Sequence, residues 1–190
     1  EDARGDLWIV IRGVGLLRST DRTNFEIVHV EGQDFGLARM LVHSGGDLYV
    51  SGHHGLSRFD GATWELITRD DGLAGPAPYV LVEGPEGGVW FGYQGSYGFS
   101  RLLEGQVRTW TTVDGLSSDT VYSLGFDGAG NLWLGTNRGV DRFDGGHFVA
   151  FRKEHGYASL ESNALGFWCD DDGTLWFATR GHEWRLGGFV

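Results

Sequence analysis

Short apolar runs, each broken by glycine and acidic residues, set the rhythm of the chain. The most regular stretch reads as four strands: Thr120 to Phe126, Leu132 to Thr136, Val140 to Phe143 and His147 to Phe151. Each is β-branched or aromatic and is bounded by Gly, Asp or Asn, residues that tolerate the backbone conformations of tight hairpins. Asp127-Gly128-Ala129-Gly130-Asn131 is such a turn between the first two. No stretch sustains a 3.6-residue apolar period with caps, so no helix is predicted. One kind of strand does not alternate. Leu7-Trp8-Ile9-Val10, Val89-Trp90-Phe91 and Leu132-Trp133-Leu134 are apolar on both faces, the pattern of a strand covered on both sides.

The same unit recurs along the chain. Trp8, Tyr49, Trp90, Trp133 and Trp176 stand 41, 41, 43 and 43 residues apart. An arginine follows each after nine to eleven residues: Arg18, Arg58, Arg101, Arg142 and Arg185. Arg58-Phe59-Asp60-Gly61 returns as Arg142-Phe143-Asp144-Gly145, and Asp71-Gly72-Leu73 returns as Asp114-Gly115-Leu116. Four antiparallel strands every 40 to 45 residues, one bearing a tryptophan, describe a β-propeller blade. An immunoglobulin-like sandwich would alternate and would not repeat. The expected fold is all-β, with blades at about 1–35, 36–76, 77–119, 120–162 and 163–190. The first lacks its first strand and the last is incomplete, so about four and a half blades form an arc of a larger ring. An arc leaves two apolar blade faces open, which predicts association with itself or with neighbouring blades.

Composition narrows the function. The 33 glycines among 190 residues would suit a disordered chain, but aromatics make up 14% and include 8 tryptophans, enough to build a core. A net charge of −11 excludes a cationic surface for nucleic acid and disfavours an anionic membrane. No apolar run is long enough to span a bilayer. Cys169 is alone, so neither a disulfide framework nor a cysteine metal site is expected. The chain opens Glu1-Asp2 with no leader, which predicts a mature, trimmed or fragmentary product.

The best copy runs Asp114-Gly115-Leu116-Ser117-Ser118-Asp119-Thr120-Val121-Tyr122-Ser123-Leu124, then Asn131-Leu132-Trp133-Leu134-Gly135-Thr136, then Asn137-Arg138-Gly139-Val140. It resembles the two-component regulator propeller repeat. The resemblance implies the extracytoplasmic sensor of a hybrid histidine kinase or related bacterial receptor, with a periplasmic or extracellular location and an output domain elsewhere. Departures occur around Trp90, where Tyr93-Gln94-Gly95-Ser96-Tyr97-Gly98 is two residues longer than its counterparts, and after Trp176.

In a propeller, the loops between second and third strands share one face with the connections between blades. Here those loops carry His53, His54, Tyr93, Gln94, Tyr97, Asn137, Arg138, Arg180 and His182, which differ between copies while the framework does not. That is the pattern of a scaffold carrying a non-symmetric binding surface, and these nine are the candidate ligand-binding residues. Adjacent His53 and His54 point oppositely in an extended segment, and no three ligands converge, so no metal site is expected. No cofactor and no catalytic residue is assigned. Asp170-Asp171-Asp172-Gly173 falls at the first hairpin and reads as a turn, not as a calcium loop. Arg58 and Arg142 are expected to tie blade edges near Asp60 and Asp144. The leading expectation is a non-catalytic sensor module binding a small molecule or an oligosaccharide. The alternatives are a protein-interaction scaffold and a lyase-type enzyme resembling streptogramin lyase, a propeller with a His-centred, magnesium-assisted site.

Overall fold

The structure, a computed structural model, describes residues 1–36, 38–152, 155, 162–179 and 187–189. It contains five antiparallel sheets in sequence order. The first holds β1 (Leu7–Ile11), β2 (Gly15–Ser19) and β3 (Glu26–Val28). The second holds β4 (Met40–Val42), β5 (Leu48–Gly52), β6 (Gly55–Phe59) and β7 (Trp64–Ile67). The third holds β8 (Pro78–Glu83), β9 (Val89–Tyr93), β10 (Phe99–Leu103) and β11 (Gln106–Trp110). The fourth holds β12 (Val121–Phe126), β13 (Leu132–Thr136), β14 (Gly139–Phe143) and β15 (Phe148–Phe151). The fifth holds β16 (Ser162–Cys169), β17 (Leu175–Thr179) and β18 (Gly187–Phe189). Each sheet is a meander of sequence neighbours, the topology of a propeller blade. A 3-10 turn, Thr112–Asp114, follows the third sheet.

The cores lie between sheets, which explains the doubly apolar strand. Trp8 packs with Leu48, Val50 and Phe59 of the second sheet. Tyr49 meets Val89 and Phe91 of the third. Trp90 meets Leu132, Leu134 and Phe143 of the fourth, and Trp133 meets Leu175 and Phe177 of the fifth. The aromatic residue therefore faces the following sheet, and the residue after it faces the preceding one. Val50, Phe91, Leu134 and Phe177, which all follow that aromatic, are fully buried. Ile9 holds the same place in β1, where none of the described sheets packs on it, and is 40% exposed, with Ile11 and Ile27 also open. Burying such a side chain is worth about 1.5–3 kcal/mol, so each internal interface contributes that much per residue and the leading face does not.

A repeated clasp closes the first hairpin of the sheets. The indole N–H of Trp133 donates to Asp127 at 2.7 Å, and Trp8 and Trp176 donate in the same way to Asp2 and Asp170 at 2.9 and 3.0 Å. In the third sheet Gly84 stands where the aspartate would be, and Glu86 accepts from Trp90 instead, at 2.9 Å. In the second, His43 and Tyr49 replace the pair, their rings 6.0 Å apart. Asp170 thus belongs to a turn: its carboxylate also accepts from the Thr174 N–H at 2.8 Å. Burial alone would raise the Asp2 carboxyl. The Trp8 indole, the Arg4 guanidinium and the backbone N–H groups of Arg4 and Asp6 outweigh it and hold the pKa at about 2. Asp127 is lowered too, where the Trp133 and Asn131 side chains and the N–H groups of Asn131 and Ala129 outweigh its burial.

The recurring arginine joins this end of the blade, but with partners other than those expected. Arg58 donates to Asp47 at 2.7 Å and reaches Glu65 at 3.5 Å, and Arg18 donates through Nε to Asp6 at 2.8 Å. Arg101 lies 3.5 Å from Glu86 and stacks over Trp90 at 5.4 Å. Asp60 and Asp144, the neighbours expected to pair with Arg58 and Arg142, instead cap their own turns. Asp60 accepts from the N–H groups of Ala62 and Thr63, and Asp144 from those of Gly146 and His147. An aspartate two residues before free turn amides satisfies them locally, which leaves the arginine to the strand alongside.

Candidate functional site

At the opposite end of the second strand the sheets differ from one another. β4 packs on β8, β8 on β12 and β12 on β16, so the first strands of successive blades stand side by side. β8 and β12 each carry a register shift against their second strand. Pro78 pairs with Tyr93 and Val80 with Gly92, which leaves Tyr79 as the extra residue. Val121 pairs with Thr136 and Ser123 with Gly135, which leaves Tyr122 extra in the same way. A bulge of this kind re-aims its side chain out of the ladder. Two half-buried tyrosines are thereby presented from corresponding places in adjacent blades.

Both tyrosines line one cleft of about 380 Å³. Arg39, just before β4, crosses from the second sheet: it donates to the Tyr79 hydroxyl at 3.0 Å, and its guanidinium sits 4.7 Å from the Tyr79 ring centre. The Arg39 Nε is buried and has no hydrogen-bond partner. Arg12, in the turn between β1 and β2, Gln94 in the long third-sheet loop, and Thr120 complete the polar lining. Among the described residues no carboxylate lines this cleft. A second opening of about 410 Å³ adjoins it through Thr120 and is lined by Ser96, Asp119, Asn137 and Arg138 among others. There the Asn137 Oδ1 is buried without a partner, while Asp119 is engaged by the Thr112 N–H at 2.6 Å.

The structure sorts the nine candidate residues into three groups. Gln94 lines the first cleft, and Asn137 and Arg138 line the second. His53 and His54 are exposed at the turn between β5 and β6, beside Gln33 and Asp34 and in neither cleft. Arg180 and His182 lie outside the described residues. Tyr93 and Tyr97 are packing residues more than free loop aromatics. Tyr93 ends β9, is 2% exposed, and touches the first cleft only from beneath. Its hydroxyl lies 2.7 Å from the Ser100 hydroxyl and accepts from the Ala74 N–H at 3.0 Å, and burial pushes its pKa up. Tyr97 sets its ring edge against Tyr93, with centres 5.9 Å apart. The two extra residues of this loop serve to reach the next blade. Ser96 bridges to Thr120, their hydroxyls 2.8 Å apart, and the Gly98 N–H donates to the Asp119 carbonyl at 2.8 Å.

Arg12, Arg39, Tyr79 and Tyr122 were not among the expected residues. A signal for two of them exists, because Tyr79 and Tyr122 each stand 11 residues before the blade tryptophan, Trp90 and Trp133. Two other clefts, near Arg58 and near Arg101, are lined by the repeated arginines with their acidic partners and belong to the framework end. Among the described residues no group of three or more His, Cys, Asp or Glu side chains could hold a metal ion. No helix there is long and apolar enough to cross a membrane.

Comparison with known proteins agrees with the repeat. Residues 115–138 match the family described as two component regulator propeller. A histidine kinase P4 of Formosa agariphila is 40% identical over 45 residues, which is 24% of this chain and 3% of that protein. The extracellular domain of a protein described as a hybrid two component system of B. thetaiotaomicron superposes with a TM-score of 0.76. It is 18% identical, over 93% of this chain and 25% of that one. Virginiamycin B lyase of Staphylococcus aureus superposes with a TM-score of 0.73 at 17% identity, over 98% of this chain and 67% of the lyase. The chain thus spans a small part of the kinase and a quarter of the extracellular domain. The fold is a β-propeller, and the chain carries the two-component regulator propeller repeat.

Proposed function

We propose that the chain is the ligand-sensing part of a two-component receptor, placed outside the cytoplasm, and that it takes a small molecule, an oligosaccharide, in the joined clefts at the loop end of the blades. The observation that carries this reading is the pair of bulges that turn Tyr79 and Tyr122 into one cleft beside Arg39. A flat aromatic beside hydrogen-bonding groups suits the apolar face and polar rim of a sugar ring. The repeat supports a two-component receptor as the parent protein. Because the cleft is assembled from four successive sheets, occupancy would change how those blades pack, a route by which binding reaches an output domain.

The test is a thermal-denaturation screen against a panel of oligosaccharides. A ligand raises stability by about 2.7 kcal/mol at a hundredfold excess over its Kd. The expected result is a saturable rise with one saccharide class that Gln94→Ala with Arg138→Ala reduces. A rise unchanged by both substitutions would place binding elsewhere.

A second reading, a protein-interaction scaffold, draws on the open leading face at Ile9, Ile11 and Ile27. It predicts concentration-dependent association by light scattering that Ile9→Lys abolishes.

A further inference from the structure

The charge of the first cleft runs against that of the chain. The protein carries 26 acidic and 15 basic side chains, yet among the described residues this cleft is lined by Arg12 and Arg39 and by no carboxylate. Among the described residues, three arginines at the repeated framework position meet an acid, Arg18 with Asp6, Arg58 with Asp47 and Arg101 with Glu86, while Arg142 at that position has no ion pair. Arg12 and Arg39 meet none. The guanidinium of Arg39 is held in place by the Tyr79 hydroxyl and the Ala38 carbonyl, the latter at 3.2 Å, so its orientation is set before any ligand arrives. Among the described residues its buried Nε lacks an acceptor, as do those of Arg101 and Arg142 at the framework end, but only Arg39 lines this cleft. A buried donor without a partner is costly, and an anionic oxygen is the acceptor that relieves it most.

We propose that this cleft recognises an anionic group carried on a sugar ring, a carboxylate or a sulfate ester. Arg12 and Arg39 meet the charge, and Tyr79 and Tyr122 cover the ring. The proposal rests on the saccharide-sensing reading above and adds the class of saccharide. It also accounts for the separation of roles in the neighbouring opening, where the one acid, Asp119, is already engaged by Thr112. A neutral saccharide would leave two guanidinium groups without a counter-charge in a cleft that no described carboxylate lines.

The experiment is an NMR titration of the ¹⁵N-labelled protein, read at the arginine Nε–H and tyrosine signals at constant ionic strength. Glucuronate, glucose 6-sulfate, glucose and inorganic sulfate are compared. The expected result is saturable movement of the Arg39 Nε–H with glucuronate or glucose 6-sulfate, whichever anion the cleft prefers. Glucose should bind at least about tenfold more weakly, and Arg12→Ala and Arg39→Gln should each weaken the anionic sugar by about tenfold. Arg12 is exposed at a turn, so its substitution leaves the fold in place even if Arg39→Gln does not. Glucose binding as tightly as glucuronate, with Arg12→Ala without effect, would overturn the anionic class while leaving saccharide sensing standing. Inorganic sulfate binding as tightly as either charged sugar would overturn the role of the ring. No movement with any sugar would overturn both the inference and the reading beneath it.

Discussion

The two ends of the second strand obey different rules. At the hairpin end, Trp8, Trp133 and Trp176 repeat one indole–aspartate bond, and where Gly84 has displaced the aspartate, Glu86 restores it from another position. At the loop end the copies agree less: Tyr79 and Tyr122 bulge from corresponding places in β8 and β12, but Arg39 comes from the segment before β4, and a lengthened loop bridges Ser96 to Thr120. Both ends rest on the same inter-sheet cores, so neither is the less well built. What differs is the demand placed on them. Each hairpin solves the same local problem of satisfying one indole and a set of turn amides, and each copy reaches the same answer. The loop end answers to something outside the blade, so its copies diverge.

The shared support can be removed first. Leu134→Ala empties a fully buried position between the third and fourth sheets and should cost about 2–5 kcal/mol, measured by urea denaturation. The equivalent change at the leading face, Ile9→Ala, should cost well under half as much, because Ile9 is 40% exposed. Equal losses would mean that the leading face is covered in solution.

The hairpin end is broken by Asp127→Ala. That change strands the Trp133 indole and the Asn131 and Ala129 amides, for an expected loss of about 1–3 kcal/mol with ligand binding intact. Acid probes the same clasp without mutation. Asp2 is depressed from 3.8 to about 2 in the folded chain, so its contribution is present above the ordinary aspartate range and is lost as pH falls through that interval. The linked stabilisation is about 2 kcal/mol, visible as a fall in melting temperature that Asp2→Asn makes smaller. A melting temperature indifferent to pH across that interval would contradict the clasp. The smallest expected effect is at the bridge between blades. Ser96→Ala should cost no more than about 1 kcal/mol, since the lost hydroxyl contact is exposed, while lowering affinity through the wall shared by the two clefts.

Much of this was legible in the sequence, and what was not has a physical reason. The blade around Trp133 was readable almost to the residue: β13 runs Leu132–Thr136 as expected, and β12, β14 and β15 differ by one residue at a single end. Period-two strands punctuated by glycine and aspartate are local signals, and the doubly apolar strand announces its two neighbours. The arginine partners were misjudged because Asp60 is near Arg58 in sequence whereas Asp47 is near it across the β5–β6 ladder. The cleft was legible least of all. Arg12, Arg39, Tyr79 and Tyr122 come from four sheets, and a bulge is a one-residue shift against a partner strand that a single strand's pattern does not reveal. Tyr93 misled in the other direction, since an aromatic at the edge of a long loop looks available until its hydroxyl is found satisfied by Ser100 and Ala74.

The most direct test sets Asp127→Ala beside Tyr122→Ala and measures urea-unfolding stability and saccharide affinity for both. The account predicts opposite outcomes: Asp127→Ala loses stability and keeps its affinity, and Tyr122→Ala keeps its stability and loses affinity by about tenfold or more. If Tyr122→Ala instead unfolds as readily as Asp127→Ala and binds like the parent, the bulges belong to the framework and the loop end is not the binding face.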